Sequence, residues 1–232
     1  MRVLVTGASG FVGSAIADAL ATAGHRVRAA SRRPLSDRLA GRVEAVPLPD
    51  LAGTDDLGSL LAGMDAVVHA AGLAHQPAGT DEARLHAVNA AGAGRLAAAS
   101  ATGGITRFVL VSSLRAVVGP SAPRAIAEST EPHPTDAYGR SKLAGEQAVS
   151  AALPSATVLR PPVVHGAGAE ANMARLAAMA RLPLPLPLGG LAGKRSILSD
   201  TNLASAVAFL LGNDAAKGRV LHLSDGEPLT IG

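Results

Sequence analysis

Tyr138 and Lys142 stand four residues apart in the run Tyr138-Gly139-Arg140-Ser141-Lys142. On a helix that spacing places a phenol and an ammonium on one face, a turn apart. A free phenol titrates near pH 10, roughly, and is a poor base at neutral pH. A neighbouring cation favours the phenolate, and the pair then suits a general acid/base that moves a proton on and off an alcohol oxygen. A further hydroxyl, that of Ser113 in Ser112-Ser113, is placed to hold the same oxygen. Tyr138 is the only tyrosine in the chain. Ser113, Tyr138 and Lys142 are therefore the candidate catalytic residues.

The other stretch with chemical meaning is N-terminal. Val3-Leu4-Val5 is a short apolar, β-branched run, Thr6 starts a turn, and glycines stand at Gly7, Gly10 and Gly13 before a helical pattern through Ile16, Ala19 and Leu20. Strand, glycine-rich turn and helix in this order form a seat for a dinucleotide pyrophosphate on a helix N-terminus. Gly7 permits the tight turn, Gly10 removes a side chain where phosphate approaches, and Gly13 lets the helix lie close to the sheet. Joined to this seat, the acid/base pair acquires a purpose: Tyr138 takes a proton from a sugar or alcohol hydroxyl while hydride leaves the same carbon for a nicotinamide.

The elements that must position these groups follow in chain order. Arg26 to Ala30 is a second strand. Ser31, Arg32 and Arg33 come next, with no acid for a ribose hydroxyl, a pattern that suits the 2′-phosphate of NADP. Val43 to Val46 is a third strand, and Asp50-Leu51 beyond it offers a carboxylate for an adenine amino group and an apolar face for the ring. Ala66 to His69 is a fourth strand, and Ala70-Ala71-Gly72 leaves room for a cofactor at its end. His69 is a lone histidine with no metal partner nearby, and the expected metal set is none. Asp81 to Ser100 is an Ala-rich helix containing Asn89, a residue costly there unless its side chain is used. Arg107 to Val111 is the fifth strand, and a Pro- and Gly-containing loop runs from Gly119 to Pro134. The helix begun by Asp136 carries Tyr138, Lys142 and Glu146. Thr157 to Arg160 is the sixth strand, ended by Pro161-Pro162. A helix over Asn172 to Arg181, an extended Leu-Pro run over 182–190, a helix over Asn202 to Leu211 and a strand at Val220 to Leu223 complete the chain. The pattern is an α/β doubly wound parallel sheet, with residues 1–160 as the dinucleotide-binding domain and 161–232 as a small substrate-binding elaboration interleaved with its last elements.

Composition narrows the function classes. The 232 residues carry 48% hydrophobic and 17% charged side chains, a globular balance. Aromatics are 2% and the net charge is +3. The basic residues are scattered, which argues against nucleic acid as a partner. Cysteine is absent, which excludes disulfides and thiol chemistry and suits a reducing, cytoplasmic setting. No apolar run reaches membrane-spanning length.

Together these motifs resemble the short-chain dehydrogenase/reductase superfamily, and in particular its extended branch, the NAD-dependent epimerase/dehydratases of nucleotide sugars. The resemblance is carried by Thr6-Gly7-Ala8-Ser9-Gly10-Phe11-Val12-Gly13, Asp50-Leu51, Val88-Asn89-Ala90-Ala91-Gly92, Ser112-Ser113, Tyr138-x-x-x-Lys142 and Leu159-Arg160-Pro161-Pro162-Val163-Val164-His165-Gly166. It implies NAD or NADP as cofactor, contacted also by Ser9, Phe11, Val12, Ala70, Ala71, Gly72, Asn89, Val111, Pro161 and Val163. Lys142 is then a ribose ligand that depresses the Tyr138 pKa. Asn172 and Arg195 contact the diphosphate of a nucleotide sugar, UDP-linked by the nearest likeness. Relatives of this kind often form homodimers through paired helices and extend further to finish the sugar pocket. The resemblance also leaves room for an NADPH-dependent carbonyl reductase and for a non-catalytic NADP sensor of the same fold.

Overall fold

A computed structural model describes residues 1–74, 81–167 and 193–230. Within them, seven strands form one parallel sheet: β1 (Arg2–Thr6), β2 (Arg26–Ser31), β3 (Glu44–Pro47), β4 (Ala66–His69), β5 (Arg107–Val111), β6 (Thr157–Arg160) and β10 (Val220–His222). Their spatial order is β3-β2-β1-β4-β5-β6-β10, and every adjacent pair is parallel. The order reverses between β1 and β4, which register from Val3 against Ala66 to Thr6 against His69. A crevice opens there at the carboxyl ends of the strands, the position where doubly wound sheets bind ligands.

Both faces of the sheet are covered, which is why its central strands are apolar at consecutive positions. Val3, Val5, Val68 and Val109 point into one core with Ile16 and Leu20 of α1 (Phe11–Thr22) and Leu203 and Val207 of α6 (Asp200–Gly212). Leu4, Val67, Phe108 and Leu110 point into the other, beneath α2 (Gly58–Leu61), α4 (Ala93–Thr102) and α5 (Ala137–Ala152). The period-two alternation along each strand thus sorts the same short sequences into two cores.

The predicted helix over 81–100 takes a different form. α3 (Glu82–His86) passes into a π-helical turn over Ala87–Gly92 and then into α4. Gly92 lies so close to Leu51 that a Cβ there would stand 2.5 Å from the Leu51 carbonyl oxygen. The wider turn accommodates this approach and presents Asn89 to a neighbouring loop. After residue 160 the chain leaves the sheet, makes β7 (Val163–His165) against β9 (Ile197–Ser199), and returns through α6, packed on α1, to β10. The predicted helix over Asn172 to Arg181 and the Leu-Pro run lie outside the described residues.

Candidate active site

The glycine turn sits at the mouth of β1. Gly7 has φ +74°, and a Cβ on it would stand 2.7 Å from the Ala71 backbone. Gly13 is tighter still, since its Cβ would stand 2.2 Å from the Gly7 carbonyl oxygen. The Gly10 amide donates to that carbonyl at 2.9 Å, and Gly10 is the N-cap of α1 with no side-chain cap hydrogen bond. The helix therefore offers its first-turn amides, beside Ser9, Phe11 and Val12, to an outside acceptor. A side chain at residue 10 would meet only the Gly7 oxygen, at 3.3 Å, and otherwise fill the open mouth of the turn. These features fit a dinucleotide pyrophosphate.

One unbroken path of close contacts joins this turn to α5. Gly7 abuts Ala70 and Ala71, and a Cβ on Gly72 would stand 2.8 Å from Asn89 Oδ1 and 3.9 Å from Lys142 Nζ. Asn89 is buried, and its amide clamps three segments. Oδ1 accepts from the Leu73 amide at 2.7 Å, while Nδ2 donates to the Leu73 carbonyl and to Ser141 Oγ, each at 3.0 Å. Ser141 in turn donates to the Tyr138 carbonyl at 2.7 Å. The side chain is thus spent, as its place in a helix required, on holding the β4 loop against α5.

At the end of β5 the two serines part. Ser112 is buried and donates to Glu146 of α5. Ser113 accepts from the Arg115 amide at 3.1 Å and hydrogen-bonds the Tyr138 phenol. The geometry thus puts Ser113, and not Ser112, beside the phenol. Asp136 caps α5, its Oδ1 accepting from Gly139 at 2.8 Å, and its other oxygen pairs with Arg115.

The electrostatics differ from expectation in one respect. Burial raises the phenol's pKa above its ordinary value, the Ser113 hydrogen bond and the Arg115 charge pull it down, and Asp136 pushes it up. Lys142 is directed elsewhere. Its buried ammonium donates to the Val111 carbonyl at 2.8 Å, and burial lowers its pKa to about 8 against the opposing pull of Glu146. Among the described residues, Arg115 is the cation whose charge lowers the Tyr138 pKa. Lys142 faces Gly72 and the end of β5.

Beneath Lys142 lies a buried ion pair that sequence reasoning did not single out. Glu146 accepts from Arg160 Nη2 at 2.6 Å and from Nε at 3.1 Å to each oxygen. His69 is a packed, hydrogen-bonded part of the structure: its Nδ1 lies 2.7 Å from Thr6 Oγ1 while Nε2 has no hydrogen-bond partner. Burial lowers its pKa to about 3, so the ring is neutral and structural, tilted against Phe108. Among the described residues no cluster of histidine, aspartate and glutamate is arranged to hold a metal ion.

The remaining predicted residues spread over the rim. Ser31 donates to the Arg33 carbonyl at 2.7 Å, and Arg32 is exposed and close enough to lower the pKa of Asp50. The Asp50 carboxylate accepts from Arg84 at 2.8 and 3.1 Å and from the Ala52 amide at 3.1 Å. Leu51 is 4% exposed and packs in the core, so its side chain offers no face to a ring. Pro161 accepts from the Leu114 amide at 3.0 Å, and Val163 is an exposed apolar residue on β7. Arg195 lies on the short strand β8 (Lys194–Arg195), its guanidinium 3.4 Å from the Pro120 carbonyl. Asn172 lies outside the described residues. No described helix is long and apolar enough to cross a membrane.

A profile of the NAD dependent epimerase/dehydratase family matches residues 3–224. The UDP-glucose 4-epimerase of Vibrio cholerae is 30% identical over 238 residues, spanning 98% of this chain and 72% of the relative. The ceramide reductase of Caulobacter vibrioides is 37% identical over 215 residues, spanning 92% of this chain and 58% of that one. Among solved structures, MoeE5 in complex with UDP-glucose and NAD superposes with a TM-score of 0.84 at 27% identity, covering all of this chain and 78% of that one. A glycine turn under a dinucleotide seat, a Tyr-x-x-x-Lys helix across the same crevice, and a profile match along nearly the whole length place the chain in the NAD(P)-dependent epimerase/dehydratase family, the extended branch of the short-chain dehydrogenase/reductases.

Proposed function

We propose that the protein is an epimerase or dehydratase of a nucleotide sugar, UDP-linked, with Tyr138 as the acid/base. The observation that carries this reading is the hydrogen bond between Ser113 and the half-buried Tyr138 phenol, on the helix that also brings Lys142 to within reach of Gly72. Two hydroxyls converge there on one point, where a substrate oxygen takes the place of their mutual bond. Tyr138 removes the proton from that oxygen and returns it later, and Ser113 holds the oxygen through both transfers. Gly7, Gly10 and Gly13 would seat the pyrophosphate, and Lys142 would hold the nicotinamide ribose. When bound, the nicotinamide supplies hydride acceptance and return at the carbon bearing the oxygen.

Arg195, across from Pro120 on the outer rim, and Asn172 are proposed diphosphate contacts; the guanidinium fork suits phosphate oxygens. The small-residue faces of α4 and α5 suit a homodimer. A second reading, a carbonyl reductase using NADPH, draws on the absence of an acid after β2 and on the ceramide reductase among the relatives. Incubation with UDP-, GDP- and TDP-sugars and either dinucleotide separates the two. Conversion without net consumption of cofactor supports the first, and stoichiometric NADPH oxidation by a keto substrate supports the second. Tyr138→Phe is expected to lose turnover by orders of magnitude with dinucleotide affinity nearly unchanged; full turnover in that variant removes Tyr138 from the mechanism.

A further inference from the structure

We propose that Arg115 is a positioning residue for the acid/base step: paired with Asp136, it fixes the first turn of α5 and the serine beside Tyr138, and holds its own charge next to the turn that carries the phenol. The inference rests on the role given to Tyr138 above, but its test does not use turnover.

Three contacts carry it. The Arg115 amide donates to Ser113 Oγ at 3.1 Å, so the oxygen that bonds the phenol is itself held from Arg115. The Arg115 guanidinium donates to Asp136 Oδ2 from Nε, at 3.1 Å, and from Nη2, while Asp136 Oδ1 caps the helix at Gly139. Gly139 rests directly on Arg115, since a Cβ there would stand 2.3 Å from the Arg115 carbonyl oxygen. One residue thus touches the serine, the cap and the turn that carries Tyr138.

Among the described residues, the charged groups near the phenol come from two elements. The turn after β5 contributes Arg115. α5 contributes Asp136 at its cap, Lys142, which is directed at the Val111 carbonyl, and Arg140, which is paired with Glu82. Asp136 orients the guanidinium and offsets part of its field. The Arg115 side chain is 24% exposed, so solvent screens it only partly. A cation so placed favours the phenolate, the form that accepts a substrate proton, and the direction of its effect on the Tyr138 pKa agrees.

The sequence makes the test direct. Tyr138 is the only tyrosine and tryptophan is absent, so the phenolate ultraviolet band of the full chain, without ligand, reports Tyr138 alone. The expected order of titration midpoints is Asp136→Asn lowest, then the parent, then Arg115→Met, displaced upward by roughly half a unit or more. Arg115→Lys should return most of the displacement, which a merely structural loss would not. Far-ultraviolet dichroism at each pH separates titration from alkaline unfolding. Asp136→Asn, which keeps a capping oxygen, brings its midpoint toward neutrality and is read first. Coincident midpoints for Asp136→Asn and the parent, or for Arg115→Met and the parent, overturn the inference, as does a lysine variant that behaves like methionine. A Tyr138→Phe protein that retains turnover would instead overturn the acid/base reading, and the titration order would be unaffected.

Discussion

Replacing Glu146 by Leu removes the one carboxylate facing a guanidinium that has almost no access to water. The side chains of Arg160 and Glu146 are 6% and 5% exposed, and three contacts of 2.6 to 3.1 Å join them. Taking away one partner of such a pair leaves a buried charge uncompensated and costs about 3–5 kcal/mol. The Ser112 hydroxyl, which donates to the same carboxylate, loses its acceptor and adds about 1 kcal/mol. Against a typical stability of roughly 5–15 kcal/mol the loss is large. The double variant Glu146→Leu/Arg160→Leu removes both charges and should cost less than either single change, because the penalty of each single variant lies in the orphaned partner. Urea unfolding of the four proteins at neutral pH reads the cycle. A single variant losing under about 1 kcal/mol, or a double variant equal to the sum of the singles, would refute the account of a tightly coupled buried pair.

Three further outcomes are expected. His69 is buried with its pKa lowered from 6.5 to about 3, so the unfolded state binds the extra proton between those values and stability falls as pH drops through that window. From pH 6.5 to 5 the parent should lose up to roughly 2 kcal/mol, and His69→Gln should flatten that part of the urea profile; an unchanged slope refutes the assignment. Gly13→Ala, whose methyl would meet the Gly7 carbonyl at 2.2 Å, should displace α1 and abolish dinucleotide binding in calorimetry, whereas parent-like affinity would show that the helix need not lie so close. Asn89→Ala forfeits three hydrogen bonds and should destabilise by about 2–3 kcal/mol, with faster amide exchange at Leu73 as the local sign; protected exchange there would count against the clamp.

The fold was legible because its strands are short, apolar and separated by recognisable turns. β1, β4, β5 and β6 fall where short apolar, β-branched runs put them, within a residue or two. The glycine turn and the Tyr-x-x-x-Lys spacing were equally plain, because each motif is local in sequence. What stayed hidden depends on contacts between distant segments. The choice between Ser112 and Ser113 turns on Glu146, thirty-four residues from Ser112. Nothing near Asp50 in the sequence announces the ion pair that Arg84 brings to it from α3. Lys142 shares a helix with Tyr138, but nothing in that spacing tells that its ammonium finds the Val111 carbonyl or that Arg115 comes in from another loop. Asn89 was suspected from its cost in a helix, but the π-helical turn that aims it has no signature in the residues alone.

That turn over Ala87–Gly92 has a consequence for how the long rod can change. The wider turn takes up one more residue than ordinary winding would, so the segments before and after it stay nearly in the phase of one continuous α-helix, and both pack on α5. Deleting a single residue within the turn lets ordinary winding resume with Leu85 and Leu96 still buried, whereas deleting one between Gly92 and Leu96 would swing the side chains beyond it by about 100° and carry Leu96 out of its core. The rod therefore absorbs a lost residue at this turn more readily than along its α-helical parts.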